Sequence, residues 1–200
     1  MLHHQKFSRF ASGLLAALFA ISLAVAPSMA MSSKTVPQQS DTYTSEEIVA
    51  KGHKVFGRTT KEVAAVVEHV FQRYGEPNGY IVGEEGSGAF IGGLRYGEGT
   101  LFMKNGLREK VYWQGPSIGL DFGGNGSRVL VLVYRLEHPN DIYARFAGVE
   151  GTAYVVGGLG VNFQQYGDIR LAPIRTGVGM RLGVNAGYLK YSEVPTWNPF

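Results

Sequence analysis

Short runs of Val, Ile, Tyr and Phe, separated by glycine, fill most of the chain and limit the folds that it can adopt. Residues 79–191 hold most of the 28 glycines, and the apolar runs between them have strand length. Asn-Gly pairs stand at 78–79, 105–106 and 125–126. Asn-Gly between extended segments is typical of tight β-hairpins, because both residues tolerate a positive φ. Antiparallel strands joined by such turns predict a mainly β fold.

The apolar runs predict the individual strands and their curvature. Strands are expected near 79–85, 88–96, 99–105, 108–114, 117–123, 127–135, 151–163, 168–175 and 177–190, and a helical turn or short helix over 138–148. Residues 129–133 are apolar without alternation, which indicates a strand buried on both faces. One face of the segment 177–190 carries three glycines, and such a face suits a sharply bending strand. We therefore expect a small, strongly curved antiparallel β-barrel, with an open sandwich as the alternative.

One or two accessory helices are predicted before the strands. A capping box, Thr44 to Glu47, precedes a short helix that we expect Gly52 to interrupt. A second box begins at Thr59, and the helix that it opens is expected over 60–74, ending at Gly75. Its apolar positions recur at helical spacing: Val63, Val66, Val67, Val70, Phe71 and Tyr74. This apolar face is expected to cover the outer side of the doubly buried strand.

The N-terminal thirty residues have the order of a secretory signal. Lys6 and Arg9 precede an apolar run, Pro27 ends it, and small residues follow up to Ala30. We expect export to the periplasm by a Sec-type signal that is cleaved after Ala30. The predicted organisation is a signal peptide over 1–30, a flexible leader over 31–43, a single barrel domain with its helices over 44–191 and an irregular tail over 192–200.

Charge and cysteine content exclude several classes of protein. The formal net charge is +3, and removing the signal with Lys6 and Arg9 leaves +1, which gives no electrostatic case for nucleic-acid binding. There is no cysteine, so the fold relies on packing and hydrogen bonds rather than disulfides. Pro195 and Pro199 would break the final strand of an outer-membrane barrel. We expect a soluble protein rather than a membrane-spanning one.

Motifs for catalysis, metals and cofactors are not found. The Gly-rich stretch 115–126 is followed by an apolar run of strand type, whereas a phosphate-binding loop precedes a helix, so we interpret the stretch as a hairpin. His53, His69 and His138 lie too far apart for metal-ligand spacing. Ser87 and Ser117 lack a nucleophile elbow, and adjacent strand residues such as Glu84 and Glu85 point to opposite faces. We predict no metal, no cofactor and no catalytic residue.

Aromatic residues on consecutive predicted strands form the candidate ligand-binding site. Tyr112 and Trp113 precede Phe122, and Asp121 and Arg135 supply charge nearby. An eight-stranded barrel is either just filled by its side chains or holds one small ligand. These residues therefore line a pocket for an acyl chain or a sugar, or they form the barrel core with a cross-strand salt bridge.

The order of Gly, Pro and aromatic residues carries a family resemblance. The stretches YWQGPSIGLDFGGNGSRVLVLVYRL and IYARFAGVEGTAYVVGGLGVNF resemble the EipA family of exported alphaproteobacterial proteins, over nearly all of the chain after the signal. This resemblance implies a periplasmic small β-barrel that supports cell-envelope integrity, with no established enzymatic activity. A fainter likeness over roughly 83–160 is to the SYLF lipid-binding domain.

Two functions from different classes remain open. The first is a non-catalytic periplasmic protein that supports envelope integrity by binding a lipid, glycan or protein partner. The alternative is an unrecognised hydrolase or transferase that acts on envelope polymers. Acids, His or Ser clustered inside one barrel mouth would favour the enzyme, whereas a smooth apolar cavity would favour binding.

Overall fold

Two helices and ten strands make up the described part of the chain. The computed structural model describes residues 40–57, 60–88, 94–116, 127–176 and 187–198. The helices are α1 (Ser45–Phe56) and α2 (Thr60–Tyr74), with a short 3-10 helix over Pro139–Ile142. The strands are β1 (Gly79–Gly88), β2 (Leu94–Met103), β3 (Arg108–Pro116), β4 (Ser127–Tyr134), β5 (Arg145–Gly148), β6 (Tyr154–Val156), β7 (Leu159–Val161), β8 (Gln164–Tyr166), β9 (Ile169–Thr176) and β10 (Tyr188–Ser192).

Eight of these strands close into an antiparallel barrel. Around the described part of the barrel, neighbours follow the order β4, β1, β2, β3, β10, β5, β8 and β9, and β9 pairs back with β4. In the closing pair of strands, β4 and β9, Val131 lies opposite Pro173 and Val133 lies opposite Leu171. The β6–β7 hairpin extends the sheet by pairing β7 with the C-terminal half of β9. The predicted mainly β fold and the curved barrel are confirmed, and the open sandwich is excluded.

Strand β4 separates two apolar cores, as its unbroken run of Val and Leu predicts. Val129, Val131 and Val133 belong to the core inside the barrel. Leu130 and Leu132 belong to a second core, between the barrel and the helices. Burying a side chain of this size contributes roughly 1.5–3 kcal/mol, so β4 is stabilised from both faces.

The two helices cover the outer face of β4 and its neighbours. Thr44 and Glu47 form the predicted capping box, and the Gly75 N–H donates to Phe71 O at the end of α2. The prediction that Gly52 interrupts the first helix is wrong, because α1 runs through it. Helix α1 packs on β4, whereas α2 packs on α1, β6 and β7 and shares the outer core with Leu130 and Leu132. The direct cover of β4 therefore comes chiefly from α1, not from α2 as predicted.

Three strand predictions need correction. The expected strands 88–96 and 99–105 are joined in one strand, β2, from Leu94 to Met103, because its glycines pair within the sheet instead of turning the chain. Gly88 ends β1, and residues 89–93 lie outside the described residues. The expected strand 151–163 is the β6–β7 hairpin, since Gly157 and Gly158 both take a positive φ. The expected helical turn over 138–148 is only the short 3-10 helix, followed by β5.

The Asn-Gly pairs have different roles. Asn105-Gly106 turns β2 into β3 as predicted, with Gly106 at φ 93°. Asn78-Gly79 is not a hairpin turn: the Asn78 side chain donates to Leu136 O at 2.7 Å and accepts from Leu136 N at 3.3 Å. Several predicted features lie outside the described residues: Thr59, the predicted strand 117–123, Asn125-Gly126, and residues 177–186 of the predicted strand 177–190.

Residues on either side of the predicted barrel domain contact the barrel. Tyr43, assigned to the leader, donates its N–H to Pro77 O at 2.8 Å and packs edge-on against the Tyr80 ring. In the tail, the Trp197 ring contacts Tyr96 of β2 with ring centroids 5.3 Å apart. Across the ranges that the structure describes, no helix is long and apolar enough to cross a membrane.

We expect Gly52→Val to lower the free energy of unfolding by about 1–3 kcal/mol, as overpacking does. A Cβ at Gly52 would lie 2.5 Å from Val63 Cγ1, where α1 approaches α2. Ala50→Val is the control, since it adds the same β-branched residue to an exposed position of α1. Glycine has a lower helix propensity than valine, so propensity alone would stabilise Gly52→Val. A gain or no change of stability in urea denaturation would therefore contradict the contact between the helices.

Candidate functional site

Trp113 lies inside the barrel, where its indole crosses two strands. Cross-strand pairing aligns Glu85 of β1, Gly97 of β2 and Trp113 of β3 in one row. A Cβ at Gly97 would overlap the indole, and one at Gly83 would lie 2.7 Å from Trp113 Cη2. Because both positions are glycine, the indole reaches over β2, and its Nε1 donates to Glu85 Oε2 at 3.1 Å.

Glu85 is the centre of a buried cluster of charges. Arg175 Nε lies 2.7 Å from Glu85 Oε1, close enough for an ion pair, although the N–H does not point squarely at the oxygen. Arg95 Nε lies 3.5 Å from the same oxygen. Arg175 also donates from Nη1 to Asn162 Oδ1 at 2.8 Å. The carboxylate therefore contacts the indole through one oxygen and two guanidinium groups through the other.

The arginines keep Glu85 ionised inside the barrel. Burial raises the pKa of the carboxyl, but Arg175, Arg95 and the Trp113 N–H outweigh it and hold the pKa of Glu85 below its ordinary value. Burial raises the pKa of Tyr191, whose ring lies 5.9 Å from that of Trp113. Glu85 is therefore a buried carboxylate held ionised by two guanidinium groups and an indole N–H.

The structure separates the predicted ligand-binding residues. Trp113 is 1% exposed and its N–H is already bonded to Glu85. Tyr112 lies on the opposite face of β3, half-buried, with Lys110 Nζ 5.5 Å from its ring centroid. Arg135 follows β4 and is exposed, with φ 58°. Asp121 and Phe122 lie outside the described residues, so only Trp113 is placed in the interior.

The other candidate side chains are dispersed as the sequence indicated. His53 lies in α1, His69 stacks on Tyr154 at 4.0 Å between ring centroids, and His138 precedes the 3-10 helix. Within the described ranges, no group of three or more His, Cys, Asp or Glu could hold a metal ion. Glu84 is exposed whereas Glu85 is buried, which confirms that adjacent strand residues face opposite ways. Ser117 lies outside the described residues.

A groove between α1 and the outer face of the barrel was not predicted from the sequence. This α1 groove has a volume of about 450 Å³ and is lined by Lys51, Lys54, Val55, Tyr80, Val82, Gly83, Glu84, Phe102 and Arg128. The rings of Tyr80 and Phe102 stack at 5.1 Å and form its apolar floor. The three cations come from two distant parts of the chain, so only the pairing of β1 with β4 and the packing of α1 bring them together.

Comparisons with known proteins agree with the barrel fold. The family model described as EipA, envelope integrity protein A, matches residues 41–200. A solved structure, a beta-barrel-like uncharacterized protein from Brucella abortus, is 60% identical in sequence with a TM-score of 0.75. The similarity covers 80% of this chain and 100% of that one. No protein among the curated ones matches this chain.

Filling the space above Gly97 should destabilise the barrel. Gly97→Ala places a methyl group into the Trp113 indole and is expected to cost about 1–3 kcal/mol of unfolding free energy. Gly86→Ala on the neighbouring strand is the control, because a Cβ there meets nothing within 4 Å, and it should change stability by less than about 0.5 kcal/mol. Equilibrium denaturation followed by tryptophan fluorescence measures both; equal effects would contradict the packing described for Trp113.

Removing the Glu85 charge should leave two arginines without their buried partner. We expect Glu85→Gln to cost about 3–5 kcal/mol at neutral pH, and Glu84→Gln, an exposed control on the same strand, to cost less than about 0.5 kcal/mol. Because the folded pKa of Glu85 is lowered, its contribution is present above the unfolded pKa of about 4.3 and is lost as pH falls. Urea denaturation from pH 7 to pH 3 should therefore show a shallower loss of stability in Glu85→Gln than in the wild type. An unchanged pH dependence would contradict a lowered pKa for Glu85.

Proposed function

The chain belongs to the EipA family, whose model spans residues 41–200, and we propose that it acts without catalysis by binding an anionic, lipid-like amphiphile in the α1 groove. Membership of this family supports a role in cell-envelope integrity. Of the lipid, glycan and protein partners that the sequence left open, the chemistry of the α1 groove fits a lipid best. The groove is the observation that carries the proposal.

An apolar floor beneath a cationic rim suits a molecule with an acyl chain and an anionic head. Tyr80, Val82 and Phe102 supply the apolar surface. Lys51 and Lys54 stand one turn apart on α1, and the volume of about 450 Å³ is within the usual range for ligand pockets of roughly 300–1,000 Å³. A basic side chain near an anionic lipid surface contributes about 1 kcal/mol, so a few such cations give useful but reversible binding.

The rim of the α1 groove, formed by Lys51, Lys54, Arg128 and Glu84, carries a net positive charge. Arg128 donates from Nη1 to Val55 O at 3.0 Å, which fixes its guanidinium at the groove. Lys51 Nζ lies 5.6 Å from the Tyr80 ring centroid. Glu84 lines the same groove and offsets one positive charge. Three cations against one acid leave a net attraction for an anion.

The periplasm is the proposed site of action. The signal over 1–30 supports export and cleavage after Ala30. The outer faces of β1 to β3 carry Glu84, Glu98, Arg108 and Lys110, and Glu98 pairs with Lys110 at 3.4 Å on the surface. Charged side chains are costly where a strand faces lipid hydrocarbon, so these faces favour contact with water.

The non-catalytic nature of the protein remains a proposal, supported by the state of its interior acid. Glu85 faces into the barrel, but two arginines and an indole N–H occupy its oxygens. The fainter SYLF likeness over 83–160 also remains a prediction, and it agrees with lipid binding. The interior pocket proposed from Trp113, Tyr112, Asp121, Phe122 and Arg135 stays a separate hypothesis, distinct from the α1 groove.

Reversing the charge of the α1 groove should abolish function without unfolding the protein. In a bacterium that lacks its own copy, we expect the wild-type chain to restore survival in detergent and the double variant Lys51→Glu, Lys54→Glu to fail. The control is Lys61→Glu with Arg145→Glu, which makes the same change of charge at exposed positions away from the groove. Immunoblots should show equal amounts of each protein. Full rescue by the groove variant would refute the proposed function.

A further inference from the structure

A second groove lies at the end of the barrel where β1 begins and β4 ends. It has a volume of about 620 Å³ and is lined by Asp41, Thr42, Arg73, Tyr74, Glu76, Asn78, Tyr134, Arg135 and Arg170. Its three arginines come from three separate elements: the last turn of α2, the residue after β4 and the start of β9. We call this the arginine groove. None of its lining residues is shared with the α1 groove.

The Tyr74 ring brings two of the guanidinium groups, those of Arg73 and Arg170, close to each other. Arg73 Cζ lies 5.9 Å and Arg170 Cζ lies 5.7 Å from the centroid of the Tyr74 ring. Tyr134 pairs directly across the strands with Arg170, and its ring lies 5.6 Å from that of Tyr74. Arg135 is the next residue along the chain. Cationic side chains on aromatic faces remain able to donate from their guanidinium edges.

The guanidinium groups retain donors for a ligand. Among the residues that the structure describes, no carboxylate oxygen lies within 4.0 Å of the nitrogens of Arg73, Arg135 or Arg170. Arg170 donates from Nη1 to Asp168 O at 3.0 Å. Asp41 and Glu76 line the groove and offset two of the three charges, but neither pairs with an arginine.

The Tyr134 hydroxyl is a polar group that the described protein leaves unsatisfied. Tyr134 is 4% exposed, and its hydroxyl has no hydrogen-bond partner in the described part of the chain. Burial, and secondarily Tyr74, raises the pKa of the phenol, so the hydroxyl stays protonated and can donate. A buried hydroxyl without a partner is unfavourable, and a ligand oxygen in the groove would satisfy it.

The backbone at Arg135 is strained in a way that glycine would relieve. Arg135 has a φ of 58°, the only positive value at a non-glycine residue in the described ranges. Strain of this kind concentrates at functional sites. The turn itself is held by the Asn78 side chain through its two hydrogen bonds to Leu136, so the arginine side chain is not needed to form it.

We propose that the arginine groove binds a phosphoryl group, through Arg73, Arg135, Arg170 and the Tyr134 hydroxyl. A tetrahedral phosphoryl group offers three or more acceptor oxygens in different directions, which matches donors arriving from three elements; a carboxylate offers only two oxygens in one plane. The phosphoryl group belongs either to a lipid headgroup or to a free phosphate. The proposal is independent of the α1 groove.

Binding is tested with inorganic phosphate and the full chain. Phosphate, compared with chloride at equal ionic strength, should raise the Tm of the wild type in a saturable manner. Arg170→Gln and Arg135→Gly should weaken the apparent affinity about tenfold or more, as the loss of a charge-assisted hydrogen bond does. Arg145→Gln, at an exposed arginine outside the groove, should bind like the wild type.

Two variants separate ligand binding from folding. Tyr134→Phe should weaken phosphate binding, yet without phosphate its Tm should equal or exceed that of the wild type, because its hydroxyl has no protein partner. Arg135→Gly should likewise remain folded, since glycine accepts the left-handed backbone. If both variants fold and bind phosphate as the wild type does, the proposed site is wrong.

Vesicles distinguish the two sources of the phosphoryl group. If the protein sediments with phosphatidylglycerol vesicles and Arg170→Gln abolishes this sedimentation, the phosphoryl group belongs to a lipid headgroup, whether or not free phosphate also binds. A phosphate-dependent rise in Tm without binding to vesicles would identify a soluble phosphate compound. The vesicle assay is carried out in the Lys51→Glu, Lys54→Glu background, so that lipid bound at the α1 groove does not contribute. If this protein responds to neither probe, or if adding Arg170→Gln leaves its response unchanged, the proposal is refuted.

Discussion

The described barrel depends on the buried contact between Glu85 and Trp113. An indole that lies across β2 requires glycine beneath it, and its N–H requires an acceptor on β1. The acceptor is a carboxylate, so it in turn requires cations, and β9 supplies Arg175 from the strand that also pairs with β4. One row of residues thus links β1, β2 and β3 to the strand that closes the barrel. A buried charge network of this kind tolerates loss of a member poorly.

The Trp113 side chain occupies the described interior beside Gly83 and Gly97, and both grooves that we propose as binding surfaces lie outside the barrel. The indole occupies the space over Gly83 and Gly97, which an interior ligand would otherwise use at this level. The α1 groove and the arginine groove form where helices meet the outer face of the barrel or its end. In both, cations border aromatic rings. The helices therefore have two roles, since they cover an apolar core and complete the walls of the grooves.

Local rules predicted the parts of the fold that depend on neighbouring residues. The capping box at Thr44, the hairpin at Asn105-Gly106 and the doubly buried strand β4 all follow from short-range patterns. The predicted strands 88–96 and 99–105 end on either side of Gly97, because nothing near Gly97 in the sequence shows that it lies under an indole. The sequence predicts Trp113 as one of five residues of a ligand pocket, but its N–H is bonded to Glu85, which is 28 residues away. Both grooves join residues from distant segments, so they require the tertiary structure.

We propose that the interior of the barrel around Trp113 is structural and that binding takes place outside it. Native mass spectrometry of the protein recovered from its own bacterial envelope tests this claim most directly. The account predicts that a lipid adduct is present on the wild type, retained in Trp113→Phe and lost in the double variant Lys51→Glu, Lys54→Glu. An adduct that is lost in a folded Trp113→Phe protein and retained in the double variant would place the ligand inside the barrel and contradict the account.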